Sequence, residues 1–480
     1  MRRSSQNRSS TQCCKSQHSS RTVKINCALG NSYSHAKDFF IVTSTIALPQ
    51  NRTIHRTVLD NGITVLVTEN PSADIVAARL FLKAGNRWES RENAGLAHLL
   101  SAVLTKGTQR LSSLDIAERV ESIGASLGTD SASDYFLVSL KTVSTDFAEM
   151  LSLAAELLRS PTFPEAEVEL ERRLTLQAIR SQQEQPFTVA FDRLRQLMYG
   201  QHPYALSSLG TEETVSRLTR RDLQAYYQTH FRPDNLVISI AGRITPAGAI
   251  AIVEESFGDW QVPAEPRPAF DLPPLAWQTS EATPPTSRQV TTSQDTQQSI
   301  VMLGYLAPPL QPDENTRTDY IALKLLNTYL GNGLSSRLFV ELREKRGLAY
   351  EVSAFYPTRL DTSHFVTYMG TAPANTAIAL EGLKAEMDRL RTTLLTDEEL
   401  QTAKNKLLGQ YALGKQTNAQ VAQIFGWYET LELGVKFDTQ FQEEVAAVTA
   451  ETARSAASRC FETAYISLLG SASLLSEHPS

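Results

Sequence analysis

The side chains able to hold a metal or attack a bond are few. The eight histidines are His18, His35, His55, His98, His202, His230, His364 and His478, and no two stand four residues apart. No helix of this chain can therefore turn two imidazoles toward one zinc ion. Of the four cysteines, Cys13, Cys14 and Cys27 lie near the N-terminus and only Cys460 falls later. One thiol builds neither a disulfide framework nor a thiolate zinc site, which favours a reducing compartment, and no histidine stands near Cys460 in sequence to activate it. Lys106-Gly107-Thr108 lacks the glycine spacing of a phosphate loop, and Gly331-Asn332-Gly333 lacks the third glycine of a dinucleotide fingerprint, so it reads as a turn.

Charge narrows the classes further. The 480 residues carry 46 Lys+Arg and 52 Asp+Glu. Residues 1–41 hold seven basic residues and one acid, a balance of +6, which leaves 39 basic against 51 acidic residues, or −12, in the rest. An acidic body without a basic stripe argues against nucleic acid as a partner. No apolar run approaches the roughly 18–20 residues of a membrane span. The basic, Ser-rich leader, 1–53, reads as disordered, and residues 1–41 within it as an organellar transit peptide, an unstructured tail or upstream sequence from a wrong start. Cytoplasm is the expected location, with an organelle as the alternative.

The elements that must position any site are legible in outline. Asn61-Gly62 between two β-branched runs signals a hairpin, with order beginning near Ile54. A strand follows over 75–83, a buried helix over Ala94–Leu104, a helix capped by Ser113, a strand over Asp134–Val143 and a helix through Arg159; Pro164 opens another helix. Strand 236–241 precedes Thr245-Pro246, an N-cap followed by a first helical residue. Seven prolines between Gln261 and Ser287 mark a semi-rigid linker. Beyond it the order repeats: strand 299–306, helix 313–330, helix 335–346 stopped by Gly347, strand 348–355, and a capping box at Thr396-Asp397-Glu398-Glu399. The expectation is an α+β chain of two similar units, 54–260 and 288–475, each with helices on a mainly antiparallel sheet.

Several segments together resemble the M16 (pitrilysin- or insulinase-like) metallopeptidase family. They are Leu59-Asp60-Asn61-Gly62, Lys83-Ala84-Gly85-Asn86-Arg87-Trp88-Glu89, Ala94-Gly95-Leu96-Ala97-His98, His202-Pro203-Tyr204, Leu209-Gly210-Thr211 and Phe231-Arg232-Pro233-Asp234-Asn235. Lys106-Gly107-Thr108, Ser335-Ser336-Arg337-Leu338-Phe339 and the run Leu342 to Tyr350 complete the set. The resemblance implies a zinc helix reading His-x-x-Glu-His, in which two His bind one metal and the Glu between them activates water, with a downstream Glu as third ligand. The matching positions are His98, Ser101 and Ala102, with Ala178 in place of the third ligand. One ligand of three remains and the base is gone. Zinc lowers the pKa of bound water from about 15.7 to about 7, on the order of 12 kcal/mol, which Ser101 and Ala102 cannot replace.

The same resemblance gives Arg343 and Tyr350 as the donors that hold substrate carbonyls and steady a tetrahedral intermediate. In one branch of the family a zinc-bearing subunit pairs with a second chain that lacks the motif and supplies this pair. The resemblance thus implies a chain inactive alone, with no cofactor of its own, forming a heterodimer around a peptide with zinc on the partner. A scaffold subunit of a larger assembly and a metal-free peptide-binding homodimer are the alternatives.

Overall fold

Asn61 and Gly62 close the first hairpin. In the computed structural model Gly62 takes a φ of +87° and Leu59 donates its N–H to Ile63 O at 2.9 Å. The structure describes residues 42–48, 52–266, 275, 277 and 287–471, so the expectations for residues 1–41 and for most of the proline-rich stretch lie outside the described residues. Order starts earlier than the composition implies. Strand β1 (Val42–Leu48) pairs antiparallel with β2 (Arg52–Val58), which turns into β3 (Thr64–Glu69).

The first half continues with β4 (Ile75–Leu82), α1 (Leu96–Val103), α2 (Ser113–Ser122), β5 (Ser126–Ser131), β6 (Phe136–Val143), α3 (Phe147–Arg159), α4 (Glu165–Gln183), α5 (Pro186–Tyr199), α6 (Glu212–Arg217), α7 (Arg220–His230), β7 (Leu236–Gly242) and α8 (Pro246–Phe257). The second half contains β8 (Gln289–Ser293), β9 (Ser299–Ala307), α9 (Glu314–Gly331), a π-helical segment Phe339–Glu344, β10 (Glu351–Phe355), β11 (Ser363–Thr371), α10 (Thr376–Thr392), α11 (Asp397–Leu413), α12 (Asn418–Thr430), α13 (Phe437–Ala447), α14 (Ala450–Cys460) and β12 (Tyr465–Gly470). Thr245 and Thr396 cap α8 and α11 as their sequences require. Ser112, not Ser113, caps α2, in a reciprocal box with Asp115.

The two sheets share one plan. The first runs β1-β2-β3-β7-β4-β6-β5 and the second β10-β11-β9-β12-β8. Read from the other end, β8-β12-β9-β11-β10 repeats β3-β7-β4-β6-β5, and in each the first pair alone is parallel. This is the duplication that the recurring strand–helix order hinted at.

The helices do not respect the division into halves. The described residues form one compact unit, and one helix of each half lies on the other half's sheet. Helix α5 packs on β9 and β12, and α12 packs on β4 and β7. Ala190, Leu194 and Met198 share a core with Ile300, Met302, Val366 and Leu469. Close approach explains two glycines. A Cβ on Gly304 would stand 2.6 Å from Met198 Sδ, and one on Gly426 2.5 Å from Phe81 Cε2. Ser467 Oγ donates to Ala190 O at 2.8 Å, and Asn418 Nδ2 to Ile75 O at 2.9 Å. The two units thus interlock, each lending one helix to the other's sheet.

Candidate functional site

Helix α1 is set in place from its N-terminus. Gly95 takes a φ of +95°, and the Glu89 carboxylate accepts from Gly95 N (2.9 Å) and Ala97 N (2.6 Å). It thereby satisfies two of the N–H groups that a helix start leaves open. Burial pushes the Glu89 carboxyl up to about 7, against the pull of those backbone bonds. Leu96, Ala97, Leu99, Leu100 and Val103 are buried in the first-half core, which leaves His98 and Ala102 on the less buried face.

The chemistry of that face is weak. Burial lowers the His98 pKa, and the charges of Asp130 on β5 and Glu171 on α4 partly offset the effect. Ser101 Oγ donates to His98 O at 2.7 Å, and Ser101 O accepts from Thr129 Oγ1 at 2.6 Å. A hydroxyl bonded back to its own helix is no base toward water. Ala102 offers a methyl group. Ala178 lies on the exposed side of α4, two turns beyond Glu171 and on the same face by helical period.

Glu171 and Asp130 are the site carboxylates that the sequence reading missed. The i, i+7 relation of Glu171 to Ala178 is the signal that could have found Glu171. Asp130 lies in a strand whose Ser-Leu-Gly-Thr-Asp-Ser text is too polar to read as one. Glu171 is held by Lys106 at 2.8 Å. One imidazole, a bonded hydroxyl, two methyl groups and a paired carboxylate do not fit a catalytic zinc ion. Among the described residues no group of three or more His, Cys, Asp or Glu is placed to hold a metal ion.

The second half places Arg343 and Tyr350 on either side of a tight reversal. Over Phe339–Glu344 the helix widens to a π-helix, with Lys345 N bonded to Val340 O at 3.0 Å. The expected α-helix over 335–346 is corrected there. Gly347, at a φ of +63°, turns the chain, and Leu348 N bonds to Leu342 O at 2.9 Å. Tyr350 N then bonds to Gly370 O at 2.9 Å and leads into β10, which begins three residues later than the expected strand start at Leu348. Tyr350 is 62% exposed, and Arg343, seven residues earlier, is exposed as well. Among the described residues neither side chain has a hydrogen-bond or ion-pair partner; the Arg343 guanidinium rests on the Phe339 ring, 4.9 Å from its centroid. Tyr350 thus leads into one sheet edge, β10, while β5, which packs against α1, forms the edge of the other sheet.

Residues 64–212 match the family described as insulinase (peptidase family M16), and residues 217–407 match the peptidase M16 inactive domain. The chain belongs to the M16 peptidase family. The insulinase-type match contains the altered α1 motif, and the inactive-domain match contains Arg343 and Tyr350. Among M16 relatives, an uncharacterized zinc protease of Streptomyces coelicolor is 28% identical over 410 residues, covering 84% of this chain and 86% of that one. The uncharacterized zinc protease YmxG of Bacillus subtilis is 27% identical over 419 residues, 86% and 97% of the two chains. A peptidase M16 inactive domain structure from Pseudomonas fluorescens superposes with a TM-score of 0.77 at 25% identity, over 87% of this chain and 98% of that one. A Helicobacter pylori protease shares the fold, with a TM-score of 0.78 at 20% identity over 90% and 100% of the chains.

Proposed function

We propose that this M16 chain is the zinc-lacking subunit of a two-chain peptidase, in which Arg343 and Tyr350 hold peptide carbonyls beside a zinc ion on the partner subunit. One observation carries the reading. The two donors stand exposed and, among the described residues, without polar partners on either side of the Gly347 turn, while the helix that would carry the catalytic motif offers a self-bonded Ser101 and a methyl group at Ala102. Guanidinium and phenol are the donors that suit a carbonyl oxygen gaining charge in peptide hydrolysis.

The peptide would lie extended. The β5 and β10 edges each present a row of backbone groups able to pair with an added strand. This chain would bind and orient substrate, and the partner's zinc would supply the activated water. Alone it would not hydrolyse peptides. A reducing compartment, the cytoplasm first, suits a body whose one cysteine, Cys460, is free and buried.

Native mass spectrometry of the chain purified gently from its source tests this. A one-to-one complex with a zinc-bearing M16 subunit of comparable size is the expected result. A metal-free homodimer, or residence in a much larger assembly, contradicts it and favours peptide holding or scaffolding.

A further inference from the structure

Glu341 stands two residues before the exposed Arg343 but does not pair with it. Glu341 is engaged by Arg337 at 3.1 Å and Lys345 at 2.8 Å, and Arg337 also binds Glu386 at 2.8 Å. The neighbouring cations thus occupy Glu341 and Glu386, and what touches the Arg343 guanidinium is the face of Phe339, 4.9 Å from its centroid. That distance is within cation–π range. The ring itself is fixed, because Phe339 packs against the buried core of the second half. It lies in the π-helical segment, where the i→i+5 bonding of the backbone departs from the ordinary helix.

A guanidinium stacked by one face keeps the N–H groups in its plane free. We infer that Phe339 is a positioning residue for Arg343: its ring holds the guanidinium by one face so that the edge donors stay directed at an incoming peptide carbonyl. The inference rests on the reading of Arg343 as a substrate-binding donor and adds the group that orients it. The stack holds the Arg343 end of the short stretch that the Gly347 turn folds back, while Tyr350 N bonded to Gly370 O holds the other end.

Two measurements decide it. In the full chain labelled with 15N-arginine, the Arg343 Nε–Hε resonance, assigned by its loss in Arg343→Lys, is expected upfield of the free position from the ring current. The displacement should vanish in Phe339→Leu and persist in Phe339→Trp; a resonance unmoved by Phe339→Leu overturns the stack. In the pair with the copurifying zinc-bearing subunit, cleavage of a quenched fluorescent peptide should lose up to about tenfold in kcat in Phe339→Leu, with KM little changed, and recover in Phe339→Trp. Phe339→Leu should cost nothing further on an Arg343→Ala background. If Arg343→Ala impairs turnover and Phe339→Leu does not, the positioning role alone fails. If Arg343→Ala itself changes nothing, the functional reading fails with it.

Discussion

Ser101 donates its hydroxyl to the carbonyl oxygen of His98, three residues earlier on α1, at 2.7 Å. The side chain that the resemblance sets in place of the water-activating glutamate is thus tied to the backbone of the residue that it sets at the first ligand position. Helix geometry that would bring a base and a ligand to one metal is intact, and here it closes a local hydrogen bond.

Because the frame is intact, the missing chemistry should be restorable. Ser101→Glu with Ala102→His and Ala178→Glu gives α1 and α4 a full ligand set and a base. Metal analysis after dialysis should find one zinc ion per chain in the triple variant and none in the natural chain. Leaving Ala178 unchanged should weaken zinc retention sharply, since a catalytic site needs three protein ligands. Equal retention without the Ala178 change would show that α4 does not supply the third position.

Glu89 makes the seat of α1 sensitive to pH. Burial raises its folded-state pKa to about 7, whereas an unfolded Glu titrates near 4.3. The folded chain therefore binds the extra proton, and this contribution to stability is complete below about pH 4.3 and lost as pH rises through about 7. Glu89→Gln removes the titration. Between pH 5 and pH 8 the natural chain should lose on the order of 3 kcal/mol more than the variant, read as the difference in denaturant midpoints. Parallel pH profiles would contradict this.

The exchanged helices predict a fold that fails as one unit. Gly426→Val would drive a side chain into Phe81 and Ser239, and Gly304→Val into Met198 and Leu194. Each should destabilise by about 1–3 kcal/mol or more. In calorimetry each should lower the single transition of the whole body. Two separate transitions, only one of them shifted, would mean that the halves unfold independently despite the exchange.

The sequence made the local devices legible and left the long-range ones hidden. Asn61-Gly62, Thr245-Pro246 and the Thr396 box act within a few residues, so their chemistry reads directly. Gly304 and Gly426 look like weak points in a strand and a helix, because the helix or ring that needs the space arrives from the other half of the chain. Ser126–Ser131 became a strand through pairing with β6, a tertiary gain that its own composition does not announce. The site followed the same rule. His98, Ser101 and Ala102 are a single helical turn and readable as such, whereas Asp130 and Glu171 reach His98 only once β5 and α4 pack beside α1. The Arg343–Phe339 stack escaped because it depends on which cations take Glu341 and Glu386.

We propose that Arg343 and Tyr350 serve a partner's zinc site. This role is tested most directly by reconstituting the two-chain complex with Arg343→Ala/Tyr350→Ala and measuring kcat/KM on a fluorogenic peptide. Loss of one transition-state donor typically costs about 10²–10³ in rate, so the double variant should fall at least that far while the complex and its zinc remain intact. Unchanged turnover in an intact, zinc-loaded complex would contradict the account.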